Sequence, residues 1–168
     1  MNNDASPDTV AKEIEFFDCD AGVGATGLNA ASIREPGELI EIMDRYLIST
    51  SLVYDRAAVE TGAFDSFDFI LDFCSGTDRL IPTIPVVPPA CREQPPPPEL
   101  ARFIEEHGIG GVHVFPLLHN FDMDPDSMGS LFELLEEHRI PVIYHSMGYA
   151  TQHWELRPDW GRIRETAD

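Results

Sequence analysis

Asp18 and Asp20 stand two positions apart, directly after the apolar run Ile14-Glu15-Phe16-Phe17. If an extended strand continues through them, its two-residue period points both carboxylates the same way. Such a pair can hold a hard cation or share a proton. The alternative is that one carboxylate caps a loop and the other is solvated. A second apolar run, Ile140-Pro141-Val142-Ile143-Tyr144, ends at His145. A histidine there can ligate a metal through one ring nitrogen while a neighbour fixes the other, or it can simply hydrogen-bond at a strand end. Further polar groups follow apolar runs at Tyr54-Asp55-Arg56, at Ser146, and between Pro116 and Phe121, where His119 and Asn120 stand.

Other chemistries find less support. Ser127 and Ser146 lack the GxSxG context of a serine nucleophile. Cys19, Cys74 and Cys91 are odd in number and without CxxC spacing, so neither a disulfide framework nor a cysteine zinc site is indicated. Gly22-Val23-Gly24-Ala25-Thr26-Gly27 matches GxGxxG, but a dinucleotide site needs a helix opening on the glycines, and the next helical pattern starts only at Pro36. His107 and His138 fall near helix C-termini, where a cation is favourable, and read as structural. His113 lies inside a strand whose pattern does not fix its side. His153, beside Trp154, falls in a polar loop that would suit a pocket mouth.

The elements that must position these groups alternate. Strands are expected at Ile14–Phe17 (ending in Asp18-Cys19-Asp20, before a glycine-rich loop), Ile48–Tyr54, Leu80–Val87, Val112–Phe115 and Val142–Tyr144. Between them the spacing predicts helices from Pro36 (Leu39, Ile42, Met43 and Tyr46 on one face), from about Ser66, around Leu100 to Ile104 up to Gly108, and from Asp124-Pro125, with a fifth near Pro158. Pro82 and Pro85 make the third strand irregular or an edge. The prolines at 88–89 and 95–98 make a stiff connection into the next helix, or less naturally a run for a proline-binding partner. Strands alternating with helices imply parallel pairing. Two α/β architectures fit: an open five-stranded doubly wound sheet, or part of a (β/α) barrel, and in both the ligand site lies at the carboxyl ends of the strands.

The chain has 168 residues, room for one domain, with 1–13 a flexible segment and 14–168 a single α/β unit. Apolar residues make up 43% and charged ones 24%, a globular profile. The formal net charge of -19 argues against nucleic acid or an anionic membrane as partner. Lys12 is the only lysine among eleven cations. An acidic, lysine-poor surface suits high salt, and equally an ordinary acidic protein. No apolar run approaches the roughly 18 residues of a membrane span, and the N-terminus lacks the basic start of a secretory signal, so a cytoplasmic location is expected.

The segment Phe16-Phe17-Asp18-Cys19-Asp20-Ala21-Gly22-Val23-Gly24 resembles the first-strand motif Asp-x-His-x-His-x-Gly of the amidohydrolase superfamily, in particular its amidohydrolase-related (amidohydrolase 2) branch. Asp18 and Gly24 match, while Asp20 and Gly22 occupy the two histidine positions. The stretch from His138 to Gly148 resembles the fifth-strand motif, with His145 on the metal-binding histidine. Residues 37–55 and 100–116 resemble the intervening units, so the likeness runs in order from about Phe16 to the C-terminus.

The resemblance implies a TIM barrel that binds a zinc-like divalent ion and hydrolyses or decarboxylates a small carbonyl or carboxylate compound. In this chain it implies Asp20 and His145 as metal ligands, with Asp18, His119 and Asn120 beside a small-molecule substrate. The metal would be zinc or manganese, or absent altogether if Gly22 marks a lost site. The sixth to eighth strands have no counterpart in 168 residues. The expected fold is therefore about five strands of a partial TIM-barrel-like sheet, completed by a second copy or a partner chain covering its open side. Two other readings stand beside the enzyme: a non-catalytic binding or scaffold protein, and a truncated fragment without activity of its own.

Overall fold

The structure, a computed structural model, describes residues 15–25, 33–62, 64 and 67–146. The segment 1–13, Ile14, Gly27, Ser66, His153 with Trp154, and the helix expected near Pro158 lie outside the described residues. Six strands and six α-helices follow one another within them. The strands are β1 (Phe16–Val23), β2 (Ile48–Asp55), β3 (Leu80–Pro82), β4 (Ile84–Pro85), β5 (Val112–Val114) and β6 (Val142–Tyr144). The helices are α1 (Pro36–Arg45), α2 (Ala57–Glu60), α3 (Phe67–Cys74), α4 (Pro97–Glu106), α5 (Pro116–His119) and α6 (Pro125–Glu137), with a 3-10 turn at Pro89–Cys91.

All pairings are parallel, in the order β1-β2-β3 and β4-β5-β6. The expected third strand is one strand broken at a single residue, Thr83. The Thr83 amide donates to the Val53 carbonyl at 2.8 Å, while the Gly110 amide donates to the Pro82 carbonyl at 2.8 Å. Hydrogen bonding therefore passes across the break from β2 toward β5. Pro82 and Pro85 have no N–H to give, which is why the ladder here is short on both sides. The sequential order lacks the reversal of a doubly wound sheet. The described strands form an open, partial TIM-barrel-like arc and do not close.

One expected boundary is corrected. The first strand does not give way to a glycine loop after Asp20; it continues through Gly22 to Val23. Its partner β2 keeps pairing that far, Gly22 with Tyr54 and Val23 with Asp55. The register shifts between Asp18 and Ala21, where three steps on β1 oppose two on β2, so simple alternation fails at Cys19 and Asp20.

The helices start where their sequences dictate. Glu38 in the first turn of α1 accepts from the backbone amides of Arg34 and Glu35. Asp124 caps α6 by accepting from the Ser127 amide at 3.0 Å, and Pro125 occupies the first turn. Gly108 follows α4 with φ +63.

Against the helices the sheet turns Ala21, Val23, Val53, Ile84, Val86, Val112 and Val114. These join Leu39, Met43, Ile70, Leu100, Ile104, Met128, Leu131 and Leu135 in one buried apolar cluster. Each fully buried side chain of this size contributes about 1.5–3 kcal/mol. On the other face Leu52, Ile81 and Gly110 meet so closely that a Cβ on Gly110 would collide with Ile81 and Leu52. At the amino ends of the strands Arg79 ties the units together: its guanidinium donates to Asp44 and to the carbonyls of Ile48 and Ser49.

Candidate metal centre

Three strands bring Asp20, His113 and His145 to one point on the face turned away from the helices. One ligand atom from each lies within 4.8 Å of the others. Asp20 comes from the bulged part of β1, His113 from the middle of β5, and His145 from the residue after β6, whose amide still donates to the Val114 carbonyl at 3.0 Å. His113 Nδ1 and His145 Nε2 are 2.8 Å apart. Asp20 Oδ1 lies 3.5 Å from His145 Nε2 and 3.9 Å from His113 Nδ1.

His113 is fully buried between Val112 and Val114, which face the other way into the core. Its Nε2 meets the Thr83 hydroxyl at 2.9 Å. Thr83 Oγ1 also donates its one proton to the Val53 carbonyl at 2.9 Å, so toward His113 it must accept. This places the imidazole proton on Nε2 and leaves the Nδ1 lone pair aimed at His145 and Asp20. Burial, with His145 beside it, pushes the His113 pKa down to about 3, so the ring stays neutral.

His145 is also pushed down by burial, opposed by the Asp20 charge. Asp20 keeps about half its side chain in solvent. Partial burial raises its pKa, the approach of His145 opposes the rise, and Asp18 adds to it. Aromatic rings wall the cluster. Phe115 stacks on His145 at 4.0 Å, and Tyr54 lies over His113 at 4.6 Å.

The donor set suits a divalent ion. Ligand atoms around a tetrahedral zinc lie about 3.3 Å apart, and the three separations, 2.8, 3.5 and 3.9 Å, bracket that spacing. Two neutral imidazoles and a carboxylate are ligands that zinc-like ions accept, and Thr83 supplies the outer hydrogen bond that ligating histidines usually have.

Gly22, at the second histidine position of the resembled motif, is covered. A Cβ placed there would lie 2.9 Å from the ring end of Tyr54 and 2.8 Å from Arg56. Tyr54 thus occupies the space into which a longer side chain at position 22 would project.

The other expected site residues lie as follows. Asp18 turns back on its own strand, Oδ1 accepting from the Asp20 amide at 3.0 Å. His119, on α5, puts Nε2 3.1 Å from the Val59 carbonyl, and its ring lies edge-on to Phe115. Burial lowers its pKa, against the raising effects of that carbonyl and of Glu93. Asn120 is the exposed, left-handed residue that ends α5. Asp55 is buried and accepts from the Ala57 amide, holding the turn into α2. His138 pairs with Glu105 at 2.9 Å, and His107 bonds to the Phe103 carbonyl, both on helix surfaces as expected.

The sequence pattern offers Tyr54 only as one of several polar strand-end residues, leaves the side of His113 open and misses Thr83. The usable signal was the triplet Val112-His113-Val114: if both valines face the core, the histidine faces the site.

No family model matches the sequence, and no curated protein matches it either. Solved structures do match. One is described as a probable 2-pyrone-4,6-dicarboxylic acid hydrolase from Acinetobacter baumannii, with citric acid bound: 17% identity, TM-score 0.51, covering 79% of this chain and 49% of that one. A protein from Pseudomonas putida given the same assignment matches at 16% identity and TM-score 0.50, covering 77% of this chain and 47% of the other. The likeness is one of fold, and this chain spans about half the length of either neighbour. Among the described residues no helix is long and apolar enough to cross a membrane.

Proposed function

We propose that this chain carries a divalent-metal site of amidohydrolase type and serves hydrolysis of a small carbonyl or carboxylate compound. The observation that carries the reading is the meeting of Asp20 from β1, His113 from β5 and His145 from the residue after β6 on the sheet face turned away from the helices. The first-strand and fifth-strand resemblances support it, as does the fold shared with structures described as hydrolases of a pyrone dicarboxylic acid. A bound divalent ion supplies Lewis acidity toward a carbonyl and toward water. The chain's own part is to present two neutral imidazoles and one carboxylate, to wall the site with Tyr54 and Phe115, and to leave Asp20 open to solvent as the approach. Asp18, His119 and Asn120 are the candidate substrate contacts.

Elemental analysis of protein purified without added metal tests the reading, together with turnover of a panel of small lactones and carboxylate esters. About one equivalent of zinc or manganese is expected, lost in His145→Ala and reduced in Asp20→Ala, with turnover falling alongside. Unchanged metal content and turnover in His145→Ala would overturn it.

The second reading, a binding module without catalysis, rests on Gly22 and the Tyr54 ring over it. Protein that carries neither zinc nor manganese and turns over no panel compound would favour that reading.

A further inference from the structure

We infer that Thr83 is a positioning residue for the metal site, acting through His113: its hydroxyl fixes the imidazole tautomer that presents the Nδ1 lone pair to the cation. The inference deepens the metal-site reading above and rests on it for the role of the lone pair.

Thr83 is fully buried, so no water competes for its hydroxyl. Two contacts of 2.9 Å, to the Val53 carbonyl and to His113 Nε2, account for that hydroxyl. A carbonyl oxygen can only accept, so the hydroxyl proton goes to Val53 and the Nε2–H of His113 points back at Oγ1.

The backbone aims the hydroxyl. Thr83 is the single residue between β3 and β4, its own amide is held by Val53, and the next amide, of Ile84, donates to the Gly111 carbonyl at 3.4 Å. On the far side Val86 donates to the His113 carbonyl at 2.8 Å, locking the two strands in register where the ring sits. A break in the strand that looks like a defect of the two prolines thus places one hydroxyl between the second strand's carbonyl and the fourth unit's histidine.

Without that acceptor the neutral ring is free to move its proton to Nδ1. The proton would then stand where the cation binds, and removing it would weaken metal affinity. Outer hydrogen-bond partners of ligating histidines are typically worth 10–100-fold in affinity.

The test compares the full-length chain with Thr83→Val, which keeps the shape and removes the hydroxyl, and Thr83→Ser, which keeps the hydroxyl. Two readouts are taken: the 15N shifts of the His113 ring in metal-free protein, which report the tautomer, and Co2+ affinity followed through its visible absorption. The wild type and Thr83→Ser are expected to show protonated Nε2 and to bind Co2+ within a few-fold of each other. Thr83→Val is expected to lose the single tautomer and to bind Co2+ 10–100-fold more weakly.

Retention of the Nε2–H tautomer in Thr83→Val would overturn the inference. So would equal loss in Thr83→Ser, which would put the effect in packing of the methyl group. If the wild type binds no Co2+ at all, the metal-site reading fails, and the 15N shifts still decide whether Thr83 sets the tautomer. Should Thr83→Val fail to fold, Thr83→Ala, which also removes the hydroxyl, carries the 15N comparison with the same expected loss of the single tautomer.

Discussion

The two faces of this sheet are built from alternate residues of the same short strands, yet they obey different rules. Toward the helices β5 turns Val112 and Val114, which join one continuous apolar cluster. Toward the open side it turns His113, which is just as buried but held by a hydroxyl and a second imidazole. The apolar face is non-directional: any side chain of about the right volume serves, and its worth scales with area. The polar face is directional, because each donor has one acceptor and a misplaced proton spoils the set. Stability is thus expected to depend mainly on one face and metal binding on the other.

The largest difference should appear in thiol chemistry. Cys74 lies in the helix-side core, where burial pushes its pKa up to about 12, whereas Cys19 and Cys91 are exposed. At pH 8 maleimide labelling followed by mass spectrometry should find Cys74 roughly a thousandfold slower than an ordinary thiol until the protein unfolds. Rapid labelling of Cys74 in the native protein would show that the apolar layer is not closed.

The next contrast sets one residue from each face side by side. Leu131→Ala, in the core beneath α6, should cost about 2–5 kcal/mol in chemical denaturation and leave Co2+ affinity unchanged. His113→Ala should lower Co2+ affinity by more than about 100-fold, beyond the range of outer-sphere changes. If Leu131→Ala weakens metal binding as much as His113→Ala does, the two faces are not separable.

The smallest effect tests a helix end. Asp124→Ala removes the cap of α6 and should cost about 1 kcal/mol, with metal affinity unmoved.

Much of this arrangement was legible in the sequence because it depends on local signals. The Asp124-Pro125 cap, the stop at Gly108 and the apolar spacing of Leu100 and Ile104 each state a helix boundary or face within a few residues. Asp20 and His145 were legible as candidates because each follows an apolar run, and the structure brings them together with His113. His113 was legible only conditionally, because its side follows from Val112 and Val114 once those two are known to face the core. Thr83 was hidden for a different reason: between two prolines it reads only as irregularity, and its partners Val53 and His113 are each thirty residues away. The bulge at Cys19 and Asp20 likewise depends on pairing with β2, which no window on β1 contains.

The links of the polar chain have a regular sequence separation: 30 residues from Val53 to Thr83, 30 from Thr83 to His113 and 32 from His113 to His145. Each link therefore joins one strand-and-helix unit to the next, and none lies within a unit. Such contacts are slow to form, because a loop of that length must close before each one is made. The chain of bonds is complete only when the unit ending in β6 has docked. The bond chain needs four consecutive units in register, and the cluster needs a fifth, because Asp20 comes from β1.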